Sequence, residues 1–237
     1  MTAKTLDGRI ALVTGASRGI GAATAQALAG AGAHVILTAR TTEGLEEVEE
    51  RIHEAGGMAT MAPLDLTEAD GIGKLAGAIA ERWPALDILV LNAAMLGTLT
   101  PVTAIDPKEF SKLITLNLFA PQALIAAFDP LLRRSDAGRL VAITSSVGRT
   151  PRAYWGAYGA SKAALETLAL SYAEEVARLT PIRVAIVNPG ATATVMRTRA
   201  FPGEDPSTIK QPREVGEAIA DLVASDYATG YRLDVTR

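Results

Sequence analysis

The chain has 237 residues, a formal net charge of −3, no cysteine and two histidines. That length suits one α/β domain with a large core, and the lack of cysteine excludes disulfides, thiolate nucleophiles and zinc–cysteine sites. An acidic balance with no basic run argues against nucleic-acid binding, while a 49% hydrophobic but only 5% aromatic composition suits a sheet with helices on both faces.

The first residues, Met1 to Asp7, show no apolar h-region, and no run of about 18 apolar residues is read anywhere. No membrane attachment is expected, and a reduced cytosolic (cytoplasmic) location fits. His34 and His53 lack metal-ligand spacing, so no metal is expected.

Arg9 to Val13 reads as a short apolar strand, followed by glycines and an alanine-rich helix from Ile20 to Ala29. His34 to Ala39 is a second strand, and Glu43 to Ala55 a charged helix that stops at Gly56 and Gly57. Met58 to Leu64 is a third strand, Asp70 to Arg82 a helix, and Asp87 to Leu91 a fourth strand. Lys108 to Leu132 reads as helical with breaks at Pro121 and Pro130. Arg139 to Thr144 is a fifth strand, Ala157 to Arg178 a long helix and Ile182 to Val187 a sixth strand. Arg213 to Ala224 is a helix and Tyr231 to Val235 a last short strand. This alternation predicts a Rossmann-type, doubly wound parallel sheet of about seven strands. It also predicts a single domain over residues 1–237. Residues 191–212, with three prolines and several charges, read as an irregular functional loop that closes as a short lid on the substrate.

Thr14-Gly15-Ala16-Ser17-Arg18-Gly19-Ile20-Gly21 joins the first strand to the first helix. Glycines there allow a tight turn and close approach of backbone to phosphate. The helix N-terminus adds free N–H groups and partial positive charge. The spacing is Gly-x3-Gly-x-Gly, not the usual dinucleotide fingerprint, so the strand–turn–helix setting carries the reading.

Tyr158 and Lys162 are four residues apart at the start of the long helix and share one face. A free phenol titrates near pH 10. A cation about 4 Å away, at an effective dielectric near 20, would be worth roughly 4 kcal/mol, or about three pKa units. Ser145 closes the fifth strand at the carboxyl edge of the sheet, where open α/β sheets bind ligands.

These residues, together with Asp65-Leu66, Asn92-Ala93, Asn117 and Pro189-Gly190-x3-Thr194, resemble the short-chain dehydrogenase/reductase family over essentially the whole chain. The stretches around Ser135 to Tyr158 and Arg199 to Pro206 are similar to its bacterial YciK-like branch. The resemblance implies an NADP(H)-dependent oxidoreductase that moves a hydride between cofactor and a carbonyl or secondary alcohol. It makes Tyr158 the general acid/base and has Lys162 lower the Tyr158 pKa and hold the nicotinamide ribose. Ser145 would orient the reacting oxygen, and Asn117 would support a water relay to Lys162. Gly15, Ser17, Arg18, Gly19, Ile20 and Gly21 would cradle the pyrophosphate. Asp65 and Leu66 would meet the adenine, and Asn92 and Ala93 the ribose. Pro189, Gly190 and Thr194 would hold the nicotinamide end. Ala39 stands where NAD enzymes of this type place a carboxylate, and Arg40 and Arg18 match basic positions of NADP enzymes. The family's Asn-Asn-Ala-Gly motif becomes Leu91-Asn92-Ala93-Ala94 here, and Ala94 demands a backbone angle that a residue with a Cβ accepts.

Met95, Leu96, Val147, Tyr154, Trp155 and Met196 suggest a mainly apolar pocket, although the same residues would serve as packing. Arg149 and Arg152 would either engage an anionic substrate or face solvent. The family implies a homodimer or homotetramer and a small-molecule partner. The alternative reading is a cofactor-binding regulator without turnover. Intact Ser145, Tyr158, Lys162 and Asn117 speak against it, and too little chain follows Lys162 for the large substrate domain of an extended-type sugar-nucleotide enzyme.

Overall fold

The computed structural model describes residues 5–68 and 70–236, so the first four residues of the expected polar start lie outside the description. Seven strands form one parallel sheet in the order β3-β2-β1-β4-β5-β6-β7. They are β1 (Ile10–Thr14), β2 (His34–Thr38), β3 (Met58–Met61), β4 (Ile88–Leu91), β5 (Arg139–Ile143), β6 (Arg183–Asn188) and β7 (Tyr231–Asp234). The helices between them are α1 (Gly19–Gly30), α2 (Thr42–Glu54), α3 (Gly71–Arg82), α4 (Pro107–Ile114), α5 (Ala120–Leu132), α6 (Ser146–Arg149), α7 (Gly156–Val176), α8 (Val195–Ala200) and α9 (Pro212–Ala224).

Strand side chains alternate between two buried layers, as a pleated sheet requires. Val13, Val35 and Leu37 pack with Leu28, Leu45 and Ile219 from α1, α2 and α9. Leu12, Ile36 and Leu89 pack on the other face with Ile79, Phe128 and Leu165 from α3, α5 and α7. With both faces covered, the strands read as continuous apolar runs rather than alternating ones. The chain leaves β1 towards β2 on one side and returns to β4 on the other. The C-terminal ends of β1 and β4 therefore flank the point where winding reverses, the place where such sheets open a ligand crevice.

Two expectations change. The prolines do not break the helix: α4, a π-helical turn over Thr115–Phe119, and α5 run on from Pro107 to Leu132. Pro121 falls in the first turn of α5, where a missing N–H is tolerated. The irregularity lies just upstream, with Ala120 N–H reaching the Thr115 carbonyl. This 26-residue helix is also, by length and a mean hydropathy of 1.3 alone, apolar enough to cross a membrane. Its sequence still holds no unbroken run of about 18 apolar residues, because Lys108, Glu109, Lys112, Asn117, Gln122 and Asp129 divide it. In the fold Leu124, Phe128, Leu131 and Leu132 of this helix are core residues.

The stretch 191–212 is not irregular. It holds α8, a bridge between Thr192 and Lys210, and a short 3₁₀ turn at Pro206–Thr208. Thr194 caps α8 by accepting from Arg197 N–H at 3.1 Å, and the Asp205 carboxylate accepts from Ser207 N–H at 2.9 Å. Short caps of this kind leave little hydrophobic periodicity to read.

Helices α1 and α9 meet at Gly216, where an added Cβ would lie 2.5 Å from Ala23 backbone atoms. Gly77, exposed within α3, has nothing within 4 Å of that position. Gly216→Ala is expected to lower unfolding free energy by about 1–3 kcal/mol through forced helix separation. Gly77→Ala is expected to raise it by about 0.5–1 kcal/mol through helix propensity. Urea denaturation checks both signs, and equal effects at the two glycines would contradict the packing argument.

Candidate active site

Across the switch point, β1 and β4 are locked by side chains. Thr14 Oγ1 donates to the Val90 carbonyl at 3.0 Å and accepts from Asn92 N–H at 2.9 Å and Ala93 N–H at 3.1 Å. The Asn92 amide donates to the carbonyls of Thr14 at 2.7 Å and Gly15 at 3.2 Å. Asn92 therefore holds the glycine turn in shape, with its amide spent on the turn backbone. A Cβ on Gly21 would sit 2.2 Å from the Gly15 carbonyl oxygen, so only glycine fits there. Gly15 and Gly19 have φ of +65° and +58°, which side chains resist. Arg18, the residue before α1, provides no side-chain cap, and the first turn of α1 carries no acidic residue. The helix end thus presents free N–H groups and positive potential without internal competition.

Ala94 costs no strain: among the described residues, the non-glycine positions with positive φ are Asp70 and Tyr154. Arg18 and Arg40 are exposed. Burial works against the Asp65 carboxylate, but hydrogen bonds from Thr67 and the charge of Arg40 hold it below its usual value. Leu66 is buried.

The catalytic candidates converge at the carboxyl edge of β5. A Cβ on Gly148 would lie 3.0 Å from Ala163 N, and one on Gly159 would lie 2.9 Å from the Val147 carbonyl. These two glycines let α6, which begins just after Ser145, lie directly on α7, with Val147 against the turn that bears Tyr158. The Ser145 hydroxyl makes no hydrogen bond among the described residues. Asn117, fully buried in the π turn, accepts from Met95 N–H and donates to the Met95 carbonyl, both at 2.9 Å. It also donates to Ser161 Oγ at 3.0 Å, and Ser161 donates to the Tyr158 carbonyl at 2.8 Å. Its side chain is committed to structure, which leaves its main-chain carbonyl. Pro121, four residues on, has no N–H to close onto that carbonyl.

Tyr158 and Lys162 are both buried, and Lys162 Nζ donates to the Ile143 carbonyl at 2.8 Å. Nζ lies 5.8 Å from the centre of the Tyr158 ring. The expected lowering of the phenol pKa is not what this arrangement produces. Burial pushes the Tyr158 phenol well above its usual range and pushes the Lys162 ammonium down to about 8. Desolvation wins because both groups are removed from water while the ammonium points to a carbonyl.

After β6, Gly190 N–H donates to Asn188 Oδ1 at 3.2 Å, and Asn188 donates to Asp234 at 2.8 Å. Lys210 Nζ donates to the Val235 carbonyl at 2.6 Å, and Thr192 Oγ1 to the Pro189 carbonyl at 3.2 Å. The methyl of Thr194 would lie 3.4 Å from a Cβ on Gly19, which brings the Pro189–Thr194 segment to the glycine turn. Arg149 is not open to an anion: it pairs with Asp234 at 2.7 Å and with buried Glu166 at 3.7 Å. Glu166 also pairs with Arg232. Arg152 is exposed. Sequence reasoning missed Ser161, Glu166, Asn188, Lys210 and Asp234, because a contact between distant segments leaves no local pattern.

The family model described as short chain dehydrogenase matches residues 9–205. The chain is 42% identical over 224 residues to the oxidoreductase YciK of Escherichia coli K12, covering 93% of this chain and 88% of that one. A short chain dehydrogenase of Shigella flexneri, crystallised with NADP, superposes with a TM-score of 0.93 at 39% identity, covering 98% of this chain and 99% of the other. A short chain dehydrogenase of Escherichia coli CFT073, crystallised with NADPH, superposes with a TM-score of 0.93 at 40% identity, covering 99% of each chain.

The Lys162 shift has a consequence for stability. Its folded value, about 8, lies below the ordinary 10.5, so between those values the unfolded chain binds the extra proton. Stability therefore rises with pH through that window, and below it the cost of burying the ammonium is present in full. Comparing the native chain with Lys162→Met by urea denaturation, the native chain should gain about 1.5 kcal/mol relative to the variant between pH 8 and 9.5. Parallel pH curves for the two proteins would contradict it.

Proposed function

The chain belongs to the short-chain dehydrogenase family, and from that premise we propose that it transfers hydride between NADP(H) and a carbonyl or secondary alcohol. One observation carries the reading. A phenol and an ammonium, both buried and four residues apart on α7, are tied to the carboxyl end of β5 by the Lys162–Ile143 contact, and α6, which begins just after Ser145, packs directly on the same helix. A quiet binding protein would have no need to bury that pair against solvation.

The cradle fits a dinucleotide. Gly15, Gly19, Gly21 and the first turn of α1, with Ser17, Arg18 and Ile20, would take the pyrophosphate. Asp65 and Leu66 would bound the adenine, and Ala93 would lie beside the ribose while Asn92 fixes the turn beneath it. Pro189, Gly190 and Thr194 would hold the nicotinamide end. The bound cofactor supplies the hydride in reduction and accepts it in oxidation.

The chain's own residues manage the proton. Tyr158 donates its phenolic proton to the carbonyl oxygen in reduction and recovers one from the alcohol in oxidation. Ser145 donates a hydrogen bond to the same oxygen and fixes its direction. Lys162, re-aimed from the Ile143 carbonyl, adds the positive charge that steadies the developing phenolate. The Asn117 carbonyl holds water that refills the proton through Lys162. Residues 1–237 act as one catalytic unit, with 191–212 as a folded lid. We place its assembly, as a homodimer or homotetramer, along α4–α5 and α7, where Phe119 is 59% exposed.

The cofactor should be NADP(H) rather than NAD(H). Ala39 leaves room and no repulsion, and Arg40 and Arg18 offer charge-assisted bonds worth about 1.5–3 kcal/mol each to a 2′-phosphate. With a panel of ketones and aldehydes, NADPH oxidation should be seen with at least one compound. NADPH should bind about a hundredfold tighter than NADH, and Arg40→Ala should close most of that gap. Equal affinity for the two cofactors, or no oxidation across the panel, would count against the reading.

A further inference from the structure

Trp155 lies between the reacting phenol and the lid. Its ring centre is 6.0 Å from that of Tyr158, edge-on at 67°, and 5.7 Å from that of Phe201, stacked at 30°. The Arg197 guanidinium covers the Phe201 ring at 3.7 Å and is held bidentately by Glu204 at 2.5 Å. One continuous stack thus runs from Tyr158 through Trp155 and Phe201 to an internal ion pair. The backbone spends strain to present it, since Tyr154, directly before Trp155, has φ of +71°.

The charges around this wall are already satisfied. Arg197 is neutralised by Glu204, and Arg149 by Asp234 and Glu166. Arg152 and Arg199 are exposed, where water screens them. On the Trp155 side an anionic group would gain little, whereas a flat apolar group would meet the half-buried Trp155 ring, which Phe201, itself held between Trp155 and Arg197, backs from behind.

We infer that Trp155 and Phe201 determine specificity: the pocket takes a neutral carbonyl compound with an aryl or conjugated group next to the carbonyl, laid against the Trp155–Phe201 stack. This rests on the oxidoreductase reading above. Trp83, edge-on to His34 beside β2, is the other tryptophan, so Trp83→Phe leaves Trp155 as a sole reporter.

In that background with NADP⁺ bound, acetophenone should quench Trp155 emission saturably, and 2-butanone should not. In steady-state reduction with NADPH, kcat/KM for acetophenone should exceed that for 2-butanone by about tenfold or more, mostly through KM. Phe201→Leu keeps the apolar bulk and removes the flat ring. It should cut that ratio several-fold and weaken the quench, while circular dichroism stays native. Saturable quenching without turnover of either ketone would support the wall and sink the oxidoreductase reading. Turnover without aryl preference, linear quenching, or a Phe201→Leu ratio equal to the native one would each overturn the wall.

Discussion

Lys162 donates from a nearly water-free position to one backbone carbonyl, that of Ile143, and this contact joins α7 to the end of β5. An ammonium so placed is expensive, because a buried charge needs partners and this one has a single neutral acceptor. The pressure appears in its titration, pushed down to about 8. The same dryness pushes the Tyr158 phenol the opposite way. The phenol is therefore held in its neutral form, the one that donates in reduction, and an anionic ligand in the crevice would draw the Lys162 ammonium back up while pushing the phenol further from ionising. The site is completed by what binds in it.

That state depends on close packing that only small residues allow. Gly148 and Gly159 bring α6 onto α7, Gly21 folds the phosphate turn onto itself, and Gly216 lets α9 approach α1 behind it. The turn is held from the neighbouring strand by Thr14 and Asn92. Asn117 does the same for the loop after β4, through Met95 and Ser161. Two asparagines thus fix two loops across one switch point, and each spends its side chain on backbone. The family resemblance had implied a cofactor contact for Asn92 and a relay role for Asn117. Their geometry makes them positioning residues first.

Much of this was legible in the sequence. The strand–helix alternation identified all seven strands to within a few residues, because buried parallel strands are unbroken apolar runs such as Ile88–Leu91. The glycine turn and the Tyr158–Lys162 spacing were readable because each is local. What stayed hidden was non-local or lacked periodicity. The π turn at Thr115–Phe119 has no sequence signature apart from Pro121 beyond it, and α8 is one capped turn and a half. The pairing of Arg149 with Asp234 and Glu166 joins three elements, so no local pattern could separate it from a substrate-binding arginine. The direction of the Tyr158 shift was misjudged because Coulomb attraction was counted at about 4 Å without the burial both partners suffer.

The central claim is that Tyr158 carries the transferable proton. Its most direct test is Tyr158→Phe, assayed on any accepted carbonyl substrate together with NADPH affinity. The ring still packs against Trp155 and the phenolic proton is gone. NADPH affinity should be unchanged and kcat should fall by about 10²–10⁴-fold. A variant with kcat close to the native value would contradict the account.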